Sequence, residues 1–414
     1  MLRPSLFNSA SRRAIGRNLA LDLVVAVGMG VTMALVNAIL PTVARRGGLE
    51  PLGLSALAAA PFIANLLGAF AGRLGPRNTA QLTLTRGIGA ASLLVLFLVP
   101  PAPVLVAVAT VFWLSLSFGG PFHLRLWGAM YPARLRGRVV GVLGMGRAAA
   151  GALAAFGGGL LADRIGGEQA VAVAGVIGVA CAIGYVGLRA ASAERPAQFS
   201  ARDSVRALRE RPLLGRIALA QGFYGGGLIA AAPLYALVHV DRLNLSLSDV
   251  GVIGILGAIA TTVAFPIWGL VADRHGSVNA LRLGSAIGLG SLVAYAFAPS
   301  VVLLWLAAIV AGVGSASIDV GIAAAVSDDT PLASRAAAMA GWNAITGARG
   351  IVAAFLMSAL LQLGFVDVRT GLLLCAATSG LGVLLFARAG RIPVATSNTA
   401  HPPVKVEGLA ASVR

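Results

Sequence analysis

The chain has 414 residues, of which 58% are hydrophobic and 11% are charged, and its formal net charge is +17. Soluble domains carry about 25% charged residues, so this composition excludes an ordinary soluble protein and predicts many membrane-spanning helices. The basic residues fall mostly in short stretches between apolar runs, which indicates the positive-inside rule and argues against nucleic acid as a partner.

Twelve apolar runs are long enough to cross a membrane, because a spanning helix needs about 20 mostly apolar residues. Four arginines precede the first run in the tail 1–18, and that run is too long for a signal peptide, so we expect a retained helix. Cys181 and Cys375 lie inside spans and indicate small buried side chains, with no metal site or cofactor. The predicted spans are 19–43, 51–71, 79–100, 103–126, 139–162, 169–189, 215–240, 249–271, 279–298, 301–325, 336–361 and 370–389.

The polar stretch 190–214 divides these spans into two sets of six. We expect an N-terminal bundle at 19–189, a C-terminal bundle at 215–389 and a disordered tail at 390–414. Residues 200–211 form either a helix lying on the membrane surface or a solvated connection. The predicted fold class is therefore all-α integral membrane, with twelve transmembrane helices in two six-helix bundles.

The distribution of Lys and Arg predicts the orientation in the membrane. If the N-terminus is cytoplasmic, the inside segments hold 23 of these residues and the outside loops hold five. Such a bias predicts that both termini are cytoplasmic. We place the protein in the plasma (inner) membrane and expect a monomer.

Two polar turns recur at equivalent positions of the two halves. Gly68–Gly75 and Gly269–Gly276 both read G-x-x-x-[D/G]-R-x-G, and their charges must lie at a membrane face. Tyr131–Arg136 and Thr330–Arg335 both contain P-x-x-x-R, at an offset of 199 residues against 201 for the first pair. A repeat that keeps its register this closely indicates two halves related by a pseudo-two-fold axis, as in many transporters.

These motifs resemble those of the major facilitator superfamily. Also similar are Leu40-Pro41, which closes the first span, and Gly157–Asp163, which closes the fifth. The resemblance covers roughly 19–389 and implies two bundles that rock about a solute site between them. It also implies a gating latch at the repeated turns, although a plain cytoplasmic turn remains the alternative. The latch residues would be Gly68, Arg73, Gly75, Gly269, Asp273, Arg274 and Gly276.

Some features depart from the family. Gly72 stands where the N-terminal turn should have its acid, which puts that copy of the latch in doubt. Two signatures of proton-coupled drug antiporters are missing, because 106–120 holds no arginine and Ala155-Phe156 occupies the place of a Gly-Pro pair.

Charged residues inside spans are functional candidates by default. Arg349 and Arg147 are expected to line the substrate pathway. Asp319 is either a proton carrier or the counter-ion of one of these arginines. Asp22 is either a second proton-coupling residue or an interfacial partner for a loop arginine. His123 either titrates or forms a hydrogen bond near the inner gate, since imidazole changes charge near neutral pH.

Four uncharged polar or aromatic residues at depth complete the predicted pathway: Asn37, Asn65, Trp342 and Asn343. Trp342, Thr346 and Arg349 share a helix face by their spacing. Such a face suits an anionic or aromatic solute, whereas core packing is the alternative for Trp342.

The sequence therefore predicts a secondary active transporter that moves a small organic solute by alternating access, with proton-coupled efflux as the preferred mode. One alternative is an organic-anion transporter, for uptake or exchange, that uses Arg147 and Arg349. Another is a non-transporting sensor or scaffold on the same fold. No P-loop is present, so ATP-driven transport by this chain alone is not expected. No HExxH or G-x-S-x-G motif is present, so an enzyme is not expected either. The partners would be the solute, the lipid bilayer and protons.

Overall fold

The computed structural model of the protein describes residues 9–68, 76–189, 206, 208–331 and 334–389. Residues 1–8 of the N-terminal tail, most of the linker, the whole predicted tail 390–414, and Arg73 and Gly75 of the N-terminal turn lie outside the described residues. Within them are twelve helical spans long and apolar enough to cross a membrane, so the predicted number is confirmed. The spans, named α1–α12, are Arg13–Arg46, Pro51–Gly68, Thr79–Leu98, Ala102–Met130, Leu135–Ile165, Gly167–Gly187, Pro212–Arg242, Leu247–His275, Ser277–Phe297, Val301–Asp329, Ala337–Gln362 and Val368–Ala389.

Several spans combine two helical pieces or extend beyond their apolar run. The first comprises Ser9–Ala38 and Leu40–Arg46, so helix begins ten residues before the predicted start at 19. A helix can extend past its apolar run into polar residues, because backbone N–H and C=O groups continue to form hydrogen bonds along the helix. The remaining adjustments are 3₁₀ turns at Leu93–Leu98 and Ile183–Gly187, a π turn at Val238–Arg242, and helix starts at Ala133 for α5 and Arg335 for α11.

Both ends of the described chain lie at one face of the helical array, since an even number of spans separates them. We call this the termini face and the other the opposite face. Gly166 and Gly276 make the direct turns from α5 to α6 and from α8 to α9, with φ of 101° and 85°. Glycine is favoured there because a side chain is strained at positive φ.

The packing of the spans shows the repeat directly. In the N-terminal half α1 packs on α5 and α6, α4 packs on α2 and α3, and α3 packs on α6. In the C-terminal half α7 packs on α11 and α12, α10 packs on α8 and α9, and α9 packs on α12. Adding six to each helix number converts the first set into the second. The two six-helix bundles are therefore related by pseudo-two-fold symmetry, as predicted.

The two bundles meet through equivalent helices. The principal contacts between them are α5 with α8 and α2 with α11. Adding six to 5 and subtracting six from 8 converts the first pair into the second, so the two contacts are equivalent by the pseudo-symmetry. The largest apolar core cluster contains residues of both halves, including Leu35 and Val43 of α1 with Leu234 and Val250. These two helix pairs therefore form the boundary between the bundles.

Candidate functional site

Asp163 joins the two halves at the opposite face. Its Oδ1 accepts a hydrogen bond from the Leu247 amide at 2.8 Å, and its Oδ2 accepts one from the Ser248 amide at 2.9 Å. These amides belong to the first turn of α8, whose N–H groups lack helical partners and carry the positive end of the helix dipole. A carboxylate of the N-terminal half therefore caps a helix of the C-terminal half.

Further polar contacts close the same face. Arg45 pairs with Asp241 at 2.9 Å, and Arg46 donates a hydrogen bond to the Leu245 carbonyl. Deeper in, Thr42 Oγ1 lies 3.3 Å from Nδ1 of the buried His239. The opposite face is held shut by several independent groups, of which Asp163 has the most direct geometry.

The sequence carries a signal for this contact beyond the two predicted turns. Gly159, Asp163, Arg164 and Gly166 have the same spacing as Gly269, Asp273, Arg274 and Gly276. The prediction considered only the part of this stretch up to Asp163. A complete G-x-x-x-D-R-x-G turn therefore lies at the opposite face, in addition to the two predicted turns.

Farther from the opposite face, helices of the two halves contact each other closely at glycine residues. A β-carbon added at Gly251 of α8 would lie 2.5 Å from the Ala155 carbonyl oxygen of α5. One added at Gly347 of α11 would lie 2.9 Å from the Phe62 carbonyl oxygen of α2. Both distances are too short for any side chain, so the closed arrangement requires glycine at these positions.

The termini face lacks an equivalent closure in the described residues. Asp273 and Arg274 are exposed and form no hydrogen bond or ion pair with another described residue. Where both partners are described, every hydrogen bond joining the two halves lies in the part nearer the opposite face, for example Ser55 Oγ to the Ala354 carbonyl at 2.7 Å. The described polar contacts between the bundles are thus concentrated toward one end.

Two charged side chains within spans, Arg147 and Asp319, are exposed. Arg147 lies one helical turn before Gly151, which packs against Gly30 of α1, and its side chain is exposed. Asp319 belongs to an exposed stripe of α10 with Ser315 and Ala323. The exposed apolar side chains of α10, such as Leu306, lie on another side of the helix. Among the described residues Asp319 has no ion pair, so neither Arg147 nor Arg349 neutralises it here.

Arg349 is held against α7. Its Nη1 donates a hydrogen bond to the Gln221 carbonyl at 2.6 Å, and the guanidinium lies over Gly225. The side chain is half-buried, and its Nε has no hydrogen-bond partner among the described residues. A positioned guanidinium with a free donor is suited to binding a carboxylate or phosphate group.

The predicted polar residues fall into two groups. Asn37, Asn65 and Asn343 are exposed, and Asn65 Oδ1 accepts a long hydrogen bond of 3.4 Å from Ser117. Trp342 is buried in a core cluster with Ile217 and Ala338. Its position therefore favours packing rather than contact with a solute.

Asp22 and His123, which the sequence analysis treated separately, are brought together inside the N-terminal bundle. The Asp22 side chain is fully buried, and its Oδ1 lies 2.7 Å from His123 Nε2. Its Oδ2 accepts hydrogen bonds from Trp127 Nε1 at 2.6 Å and the Tyr131 hydroxyl at 3.4 Å. Asp22 contacts no loop arginine among the described residues, which argues against the interfacial alternative.

Comparison with known proteins agrees with this architecture. Residues 217–409 match a sequence profile described as Major Facilitator Superfamily. A search of curated proteins finds no significant match to the chain.

Solved structures extend the likeness to the whole chain. The nucleoside transporter NupG superposes with a TM-score of 0.72 at 13% identity, over 91% of this chain and 99% of that one. A bacterial homologue of the human lysosomal transporter Spinster, inward-facing and occupied, gives 0.68 at 14% identity over 93% and 98%. PepTSo, a transporter of the POT family, gives 0.70 at 11% identity over 92% and 98%. At these identities the likeness establishes the fold.

The family profile covers the C-terminal half, and the shared twelve-helix fold covers both halves with their repeat. The shared fold and the family match of the C-terminal half both point to a transport protein rather than an enzyme. Residues 217–409 are thus similar to the major facilitator superfamily, and the chain has the fold of the solved transporters described above.

Proposed function

We propose that this secondary transporter exports a small organic solute in exchange for protons. The observation that carries the proposal is the closed opposite face, where Asp163 bridges the two halves, together with the exposed charged residues Arg147 and Asp319 within spans of the two halves. The structural neighbours are described as nucleoside and peptide-family transporters, which supports a small organic solute as cargo.

Alternating access would use two mutually exclusive latches. Asp163 caps α8 while the opposite face is shut. The N-terminus of α5 follows Pro132, which provides no side-chain cap. Asp273 ends α8 beside that region, and we propose that it caps α5 when the termini face closes. The turn at Gly269–Gly276 would then gate one face, and the turn at Gly159–Gly166 the other.

Asp319 is the proposed proton carrier. It is an exposed carboxylate within span α10 and has no ion pair among the described residues. A carboxylate that binds either a proton or a cationic solute in one cavity couples their movements in opposite directions. An inward proton gradient would then drive the solute outward. The buried Asp22–His123 pair is the second candidate for proton coupling.

An organic anion is the alternative cargo, and the arginines favour it. Arg349 is positioned by Gln221 with one free donor, and Arg147 has no carboxylate partner among the described residues. An anion bound by both would balance a proton on Asp319 and move in the same direction as that proton. The two modes therefore predict opposite proton fluxes.

The test begins with a thermal-shift screen of small solutes on the purified protein, because a ligand of the folded state raises its stability with occupancy. Each solute that stabilises the protein is then assayed in proteoliposomes under an imposed pH gradient. We expect gradient-driven flux that Asp319→Asn abolishes. Asp328→Asn should leave the flux intact, since Asp328 is an exposed acid at the end of the same helix.

The results separate the candidate functions. Intact proton-driven flux in Asp319→Asn would remove Asp319 as the carrier. Proton movement in the same direction as the solute, lost in Arg147→Gln, would favour the organic-anion alternative. Binding without counterflow for any solute would favour the sensor or scaffold.

The domain organisation and orientation are also proposed. We propose that 19–189 and 215–389 move as two bundles connected by 190–214, in a monomer, with the termini face toward the cytoplasm of the plasma (inner) membrane. The segments on the side of the termini hold 23 Lys and Arg residues and the loops on the other side hold five, which supports this orientation. A fluorescent-protein fusion at the C-terminus, which should fluoresce only in the cytoplasm, tests it.

A further inference from the structure

Arg86 lies inside the N-terminal bundle without an anionic partner. Its side chain is 7% exposed, and its Nε and Nη1 have no hydrogen-bond partner among the described residues. Gly119 makes room for the guanidinium, because a β-carbon there would lie 2.7 Å from Arg86 Nε. Burying an unpaired charge is costly, so a compensating group is expected beside it.

A cavity of about 20 Å³ adjoins this side chain, enough for one water molecule or one ion of similar size. Helices α1, α3, α4 and α6 line it, with Arg86, Tyr185, Ser115 and Thr32 as the polar residues. Ser115 Oγ donates to the Phe112 carbonyl and Thr32 Oγ1 to the Gly28 carbonyl, so both hydroxyl protons are already used. The uncommitted donors at the cavity are therefore those of Arg86.

The nearby charges leave the positive charge of Arg86 uncompensated. The hydroxyl of Tyr185 interacts with Arg86, and Tyr185 also lies within the field of Asp22. The Asp22 oxygens are occupied by His123, Trp127 and Tyr131, so this acid makes no salt bridge with Arg86. Arg147 is close enough to add a repulsive positive charge.

We propose that this cavity binds a small monovalent anion against the Arg86 guanidinium. The site selects for negative charge through two N–H donors and for size through its volume. The anion is either a free halide or the carboxylate end of a bound solute. The binding does not depend on proton coupling or on the direction of transport.

Sodium bromide is the probe for the experiment. Purified protein in chloride-free gluconate buffer is unfolded by heat over a bromide titration at constant ionic strength. We expect a saturable rise in the unfolding temperature, since a ligand of the folded state stabilises it. Arg86→Gln should weaken the apparent bromide affinity by about tenfold or more, because it removes a charge-assisted hydrogen bond. Arg125→Gln is the matched control, since Arg125 lies over Phe122 and does not line the cavity.

Crystals soaked in bromide provide a second measurement that needs no variant. We expect an anomalous peak beside the Arg86 guanidinium. Competition by acetate would identify a carboxylate-accepting site, and its absence would identify a halide site. A wild-type titration without saturation, an unchanged affinity in Arg86→Gln, or a cavity holding only water would overturn the proposal.

Discussion

Replacing Asp163 by asparagine should release the closed opposite face. The carboxylate accepts two amide hydrogen bonds from α8, at 2.8 Å and 2.9 Å, and faces the positive end of that helix dipole. Asparagine keeps one acceptor oxygen but loses the charge and the second bond. Because Asp163 is solvent-exposed, we take the loss as about 1–2 kcal/mol, at the modest end of the range for charged hydrogen bonds.

That energy changes the balance between closed and open opposite faces. About 1–2 kcal/mol corresponds to roughly a 5- to 30-fold shift in the equilibrium constant. If the open form is about 1% of the wild-type population, the variant would hold about 5–25%.

Distances between spin labels measure this population. Glu50 and Ser300 are suitable labelling sites, because both are exposed at the opposite face and belong to different bundles. The free Cys181 and Cys375 are replaced first. We expect one short distance in the wild type and an added longer distance in Asp163→Asn.

Glu168→Gln is the control for loss of charge alone. Glu168 lies in the first turn of α6, five residues after Asp163, and makes no hydrogen bond across the halves in the described residues. Identical distance distributions in Asp163→Asn, Glu168→Gln and the wild type would refute the latch.

Three further predictions concern packing, burial and binding. Gly251→Val should also open the opposite face, because the valine side chain would overlap the Ala155 carbonyl. Gly222→Val should leave the face closed, since no atom lies near that position, and the spin labels at Glu50 and Ser300 measure the opening in both variants. Asp22→Ala should lower the free energy of unfolding by about 3–5 kcal/mol, since His123, Trp127 and Tyr131 lose a buried acceptor. A decrease below about 1 kcal/mol in a denaturation assay would contradict this prediction. Arg349→Lys should weaken binding of an anionic solute by about tenfold in a thermal-shift titration, because lysine lacks the planar guanidinium that holds the Gln221 carbonyl. Arg282→Lys should have little effect.

The architecture was accessible from the sequence because apolar length and an internal repeat encode it directly. Twelve runs of spanning length gave the helices, and the repeated turns gave the relation between halves. Helix ends were less accessible, since hydropathy reports the membrane region and not the last hydrogen-bonded turn. The first helix starts at Ser9, well before its apolar run. At about 1.5 Å per residue, Asp22 therefore lies about 20 Å from the start of this helix.

The partners of individual side chains could not be obtained from spacing. Asp22 meets His123 from a helix 101 residues away, and Asp163 meets amides more than 80 residues away. Trp342 shares a helical face with Arg349 by periodicity, yet it packs in the bundle core. A helix with neighbours on several sides buries more than one face, and its sequence does not say which face contacts the other bundle.

Paired distance measurements on both faces test the rocking of the two bundles most directly. Labels at Glu50 and Ser300 report the opposite face, and labels at the exposed Arg138 and Asp328 report the termini face. In Asp163→Asn we predict that the first distance lengthens while the second shortens, in equal populations. Distances that change independently, or a first distance that lengthens while the second stays fixed, would contradict alternating access by this protein.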